Sequence, residues 1–96
     1  MQTEKREYVL SKQLLRSGTS IGANIREAEQ AQSKIDFIHK LSIALKEANE
    51  TEYWLELLNQ SGYLEQKLFE SLYIDCKEML KLLTSIIKTS KQNNGK

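Results

Sequence analysis

Apolar and small positions in this 96-residue chain recur in steps of three and four, the spacing of one helix face, and no stretch alternates as a strand does. Phe37, Leu41, Ala44, Ala48, Thr51, Leu55 and Leu58 form the longest seam of this kind, which predicts a packed helix over about 34–61. Its ends are marked as well. Ser33 followed by Asp36 reads as an N-cap with a carboxylate in the first turn, and Gly62 stands where a glycine stops a helix. Leu68, Leu72, Cys76, Met79, Leu83 and Ile86 repeat the rhythm and predict a further helix over about 65–90. The polar stretch 91–96 after it buries nothing and predicts a frayed tail.

The first third of the chain poses a question through "LLRSGTSIGANIREAEQ". Gly18 and Gly22 each cost about 1 kcal/mol against Ala inside a helix. Leu14, Gly18, Ile21, Gly22, Ile25 and Ala28 nevertheless keep helical phase, with the glycines on the face that carries the isoleucines. One helix over about 5–32 follows, in which small residues at 18 and 22 let a neighbouring helix approach. The alternative is a turn at residues 17–20, for which "SGTS" is a suitable composition. Leu14, Ile21, Ile25, Leu41, Ala44, Ala48, Leu55, Leu72, Cys76, Met79 and Leu83 are the expected core.

Composition narrows the class. The absence of proline, four glycines, 40% hydrophobic and 28% charged residues describe a single helix-rich domain, small enough that burying a core alone is marginal. No apolar run reaches the roughly 18 residues of a membrane span, and "MQTEKREYVL" has no signal-like apolar stretch, so the expectation is a cytoplasmic protein without membrane contact. A single cysteine excludes an internal disulfide, and a net charge of +1 neither demands nor excludes a polyanion.

The stretch "QLLRSGTSIGANIREAEQAQSKIDFIHKLSIALKEANETEYWLELL" resembles the signature of the bacterial four-helix-bundle family named after proteins encoded in intervening sequences of 23S ribosomal RNA genes. That signature is a Q-L-R-R-like stretch, then S-I-x-A-N-I-x-E, a D-F-I-x-x-L-x-I-A block and an E-x-x-x-L end. The similarity runs from about Tyr8 to Leu58 and continues more loosely through the last helix. The family usually has proline where this chain has Gly22, consistent with a kink or close approach there.

The resemblance implies an all-α antiparallel up-and-down bundle, with three long helices here of a four-helix-type fold, and a homo-oligomer, with a ring of five as the favoured state. It supplies no catalytic residue and no cofactor. A related branch serves as accessory protein to the reverse transcriptase of diversity-generating retroelements and uses a basic surface, which makes RNA, DNA or such an enzyme the expected partner. Members normally carry another helix of about twenty residues before the segment beginning near "TEKREYVLSKQLL". Either the start of the gene lies further upstream or another subunit covers the vacant groove, and the second case suggests a dimer in which each chain fills the other's groove.

Charge placement then selects candidate binding residues. Lys77, Lys81, Lys88 and Lys91 share one side of the last helix, and residues 77–96 hold five lysines against one glutamate. Lys12 and Arg16 lie one turn apart on the first helix. Such basic faces suit a phosphate backbone, while a plain solvated flank gives the same pattern, and no base-reading motif is present. Glu52 is placed to pair with Arg16 or Arg26, or to remain exposed. Gly18, Ile21, Gly22, Ile25, Tyr53, Trp54 and Leu55 are the candidates for helix packing or a subunit interface.

Enzyme chemistry has little to work with. Asp36 and His39 share the spacing of an acid-x-x-His metal pair, but His39 is the one histidine of the chain and a di-iron site needs a second. Cys76 sits in an apolar seam and reads as a small hydrophobe rather than a nucleophile. No phosphate-cradling glycine loop or nucleophile elbow occurs, so neither an enzymatic role nor a small-molecule substrate is expected.

Overall fold

The computed structural model describes residues 2–94 and contains three α-helices: α1 (Gln2–Glu29), α2 (Lys34–Gln60) and α3 (Gln66–Asn94). α1 passes through Gly18 and Gly22 without a break, so the phase of the apolar positions outweighs the turn composition of residues 17–20. It ends at Glu29 rather than near residue 32, because the Gln30 and Ala31 amides turn back onto the carbonyls of Glu27 and Ala28. Ser33 caps α2 as the sequence suggests: its backbone is extended, and its hydroxyl accepts from the Asp36 amide at 3.1 Å.

The far end of α2 closes through a glycine. Gly62 has φ +82°, the Tyr63 amide donates to the Leu58 carbonyl at 2.9 Å, and the Gly62 amide donates to that of Asn59 at 3.1 Å. This paired pattern is a Schellman motif, and its left-handed residue favours glycine. The expected frayed tail requires correction. α3 continues through Asn94, so residues 91–94 are helical, while 95 and 96 lie outside the described residues. Propagation adds a hydrogen bond per residue fixed, so a helix nucleated by packing upstream extends into a polar stretch.

Short connections force neighbouring helices to run antiparallel, and α2 is the shared element, packing against α1 on one side and α3 on the other. α1 and α3 run parallel to each other, with their backbones more than 8 Å apart among the described residues. The core lies along α2, where Ala44 and Ala48 are wholly buried beside Leu41, with Ala28 of α1 and Leu83 and Ile87 of α3. Alanines at the centre of α2 allow both flanking helices to come close. The principal extents, 56 × 21 × 15 Å, are those of three long helices packed lengthwise with α1 and α3 on adjacent sides of α2.

Candidate interaction surfaces

Three surfaces result from this arrangement. The first is the groove between α1 and α3, about 640 Å³ in volume, with Thr51, Leu55 and Cys76 in its lining. Leu14, Ile21 and Ile25 from α1 and Met79 from α3 are half-buried along it, and Leu72 is exposed. These residues belong to the core expected of the assembled protein. They fall short of full burial because no helix of the described chain occupies the fourth position of the bundle. Gly18 and Gly22 face the same groove, and a Cβ built on either meets nothing within 4 Å. Close packing within the chain therefore does not account for either glycine.

The second surface is the basic flank of α3. Lys77, Lys81 and Lys88 line one shallow depression together with Leu80, Thr84 and Ser85, and Lys91 is exposed one turn further on. Lys81, Lys88 and Lys91 form no ion pair among the described residues. Lys77 differs, since its ammonium is bonded to the Glu52 carboxylate and lies 5.4 Å from the centre of the Tyr73 ring. Tyr73 also donates to Glu56 at 3.1 Å. The hydrogen bond from Lys77 holds the Glu52 carboxyl below its usual range against an opposing effect of burial, and the same bond raises Lys77.

The expected pairing of Glu52 with Arg16 or Arg26 is thus corrected. Arg16 bonds Glu50 at 2.7 Å and Glu47 at 3.5 Å instead. Glu50 and Glu52 are two residues apart, about 200° around α2, so one faces α1 and the other α3. Arg16 is consequently neutralised by carboxylates, whereas Lys12 is exposed with its ammonium 5.9 Å from the Tyr8 ring centre.

The third surface is the back of α2, opposite the groove. Tyr53 is exposed there and meets the half-buried Trp54 edge to face at 4.8 Å, while Leu55 turns inward and is buried. Trp54 Nε1 is buried without a hydrogen-bond partner.

Sequence reasoning missed a polar contact at the α1–α2 seam. Ser17 is fully buried, and Thr51 Oγ1 lies 2.9 Å from its Oγ. Its position was detectable, since Leu10, Ser17, Ile21 and Ala28 follow steps of seven, four and seven on one face. Cys76 is buried, its thiol donates to the Ala48 carbonyl at 3.4 Å, and burial pushes its pKa up. His39 is exposed and Asp36 half-buried, and no metal-holding cluster occurs among the described residues. No described helix is long and apolar enough to cross a membrane.

The fold and these surfaces define an all-helical bundle-type protein whose notable features are flanks and a groove rather than an enclosed site. The profile of the 23S rRNA-intervening sequence protein family matches residues 1–85, and the chain belongs to that family. It is similar to a crystal structure from Bacteroides thetaiotaomicron VPI-5482, described as a protein with unknown function from the S23 ribosomal protein family. The two chains are 68% identical with a TM-score of 0.83, over 88% of this chain and 76% of the other. Among curated proteins there is no match.

Proposed function

We propose that the chain is a noncatalytic, oligomeric helical scaffold that holds RNA or DNA, or an enzyme working on nucleic acid, against the lysine flank of α3. One observation carries this reading: Lys81, Lys88 and Lys91 project from the same side of α3 with no carboxylate to neutralise them. Thr84 and Ser85 lie between them as hydroxyl donors for phosphate oxygens. Lys12 is a secondary contact, while Arg16 and Lys77 are already paired and serve the bundle. The family's association with ribosomal RNA genes by name agrees with a nucleic-acid partner.

The test is an electrophoretic shift with duplex and single-stranded RNA and DNA across a salt series. Release of counterions from about three phosphates gives a slope of roughly −2.7 in log affinity against log salt for duplex DNA. Lys81→Glu with Lys88→Glu is expected to abolish the shift. If no nucleic acid is retarded even at low salt, the nucleic-acid part is withdrawn. The second reading, a protein–protein interaction module, then stands, and the pairing of Arg16 and Lys77 with carboxylates already favours it.

A further inference from the structure

The lysine flank of α3 and the back of α2 form one continuous face. Lys77 bonds Glu52, and Tyr53 is the next residue of α2, so Tyr53 stands at the height of Lys77. Rotation puts both on the same side. On α2 Leu55 lines the groove, and Tyr53, two residues earlier, lies about 200° around the helix; on α3 Met79 and Lys77 stand in the same relation. Tyr53 and Lys77 therefore both point away from the groove. Because α2 and α3 are antiparallel, the two rows continue together. Lys46 and Ser42 follow Tyr53 along α2 as Lys81 and Thr84 follow Lys77 along α3, and all four are exposed. The tyrosine and the α3 lysines come from different helices, so no linear motif shows them side by side.

Two properties of this face have no use inside the chain. Tyr53 is 55% exposed, although Trp54 holds its ring from one side at 4.8 Å, so a fixed aromatic platform is left open to solvent. The carboxylates beside it are already engaged: Glu50 with Arg16, Glu52 with Lys77, and Glu56 with the Tyr73 hydroxyl. Lys46, Lys81 and Lys88 keep their charge without an ion-pair partner among the described residues.

We infer that this face binds single-stranded nucleic acid, with an unpaired base stacked on the Tyr53 ring and the following phosphates tracked by the lysines. The inference deepens the proposed function and rests on its nucleic-acid reading. Strandedness follows from the chemistry of the platform. In a duplex both faces of each internal base are covered by its neighbours, so a duplex engages the lysines and leaves Tyr53 idle. An unpaired base offers its face to the ring and adds a stacking contact that does not depend on which base it is. The lysines continue from that anchor. Lys77 to Lys88 spans about 17 Å along α3, with Thr84 and Ser85 as hydroxyl donors on the way.

The probes are a mixed-sequence RNA strand of about twelve nucleotides, within the site sizes of single-strand grooves, and the same strand paired with its complement. Affinities are read by fluorescence anisotropy at low salt on the 96-residue chain. Tyr53→Leu keeps an apolar side chain but removes the ring, and is expected to weaken single-strand binding about tenfold while leaving duplex binding within about twofold. Tyr53→Phe is expected to retain both affinities. Lys81→Glu with Lys88→Glu is expected to lose both, since the phosphates are common to the two ligands. Circular dichroism checks that each variant keeps its helicity. Should Tyr53→Leu fail to fold, photocross-linking of a 5-iodouridine-substituted strand to the unmodified chain decides alone: attachment at Tyr53 supports the platform, and attachment only elsewhere overturns it. A folded Tyr53→Leu variant that binds the single strand as the unmodified chain does, or that loses both ligands equally, overturns the single-strand inference and leaves the nucleic-acid reading standing. If neither ligand binds, both fall together.

Discussion

Ser17→Ala tests how the buried hydroxyl pair at the α1–α2 seam distributes its protons. Ser17 is 0% exposed, and its hydroxyl donates to the Leu14 carbonyl at 3.2 Å. Thr51 Oγ1 lies 2.8 Å from the Glu47 carbonyl and 2.9 Å from Ser17 Oγ. Each hydroxyl therefore has an acceptor on its own helix, and removing one does not orphan the other. The loss is the contact between the helices, about 1 kcal/mol net, and the better helix propensity of alanine returns about half of that. The expected change is about 0.5 kcal/mol. Ser17→Leu places a larger side chain in the same filled position and is expected to cost about 1–3 kcal/mol. That is a substantial part of the roughly 5–14 kcal/mol available to a chain of this length. Urea unfolding followed by circular dichroism at fixed chain concentration measures both. If Ser17→Ala costs more than about 2 kcal/mol, Thr51 has been left without an acceptor and the reasoning fails. In that event adding Thr51→Val recovers stability, which a simple loss of packing would not permit.

Further outcomes follow from the same geometry. Leu83→Ala removes a side chain with 2% exposure and is expected to cost about 3 kcal/mol, against less than about 1 kcal/mol for Leu72→Ala, at 36% exposure; equal costs in urea titrations refute the packing of α3. Glu52 has a lowered pKa, so its contribution to stability is present above the usual carboxylate value and is lost as pH falls through the lower folded one. Lys77 is raised, so its contribution is present below the usual lysine value and disappears as pH rises through the higher folded one. Glu52→Gln is expected to flatten the acid limb of a stability profile measured by thermal melts, and an unchanged limb contradicts the pairing. Trp54→Phe removes a buried N–H that has no acceptor within the chain, so its cost is expected to stay below about 1 kcal/mol; a loss above about 2 kcal/mol, seen in the same melts, indicates an acceptor on another molecule.

How far the sequence was readable differs from helix to helix. On α2 the seam of threes and fours contains every residue that is buried there, Leu41, Ala44, Ala48, Leu55 and Leu58, because this helix is packed on two sides and its apolar face leaves little choice. On α1 the expected face, Leu14, Gly18, Ile21, Gly22, Ile25 and Ala28, contains the buried Ala28 but leaves out Leu10 and Ser17, the other buried positions. The apolar stripe of α1 is wider than one contact requires, and a polar serine marks its centre, so apolar spacing alone selects the part facing the groove. Charge pairs were the least legible. Whether Glu50 or Glu52 meets Arg16 depends on the rotation of α2 against two neighbours at once, and composition carries no record of that rotation.

The groove and the lysine flank belong to the same helix, and their relation decides whether association and nucleic-acid capture compete. Met79 lines the groove and Lys81 the basic depression, two residues apart and about 200° around α3. Ile86, packed against the core, and Lys88 stand at the same two-residue spacing. Anything seated in the groove therefore leaves the lysines uncovered. Gly22 faces the groove with nothing within 4 Å of an added Cβ, so Gly22→Leu is expected to leave the affinity for a short duplex unchanged. Lys88→Glu, on the opposite side of α3, is expected to weaken that affinity while leaving helicity and thermal stability unchanged. Loss of duplex affinity in Gly22→Leu, followed by gel shift and circular dichroism on the same preparation, means that groove and flank act as one surface and that their separation around α3 does not make them independent.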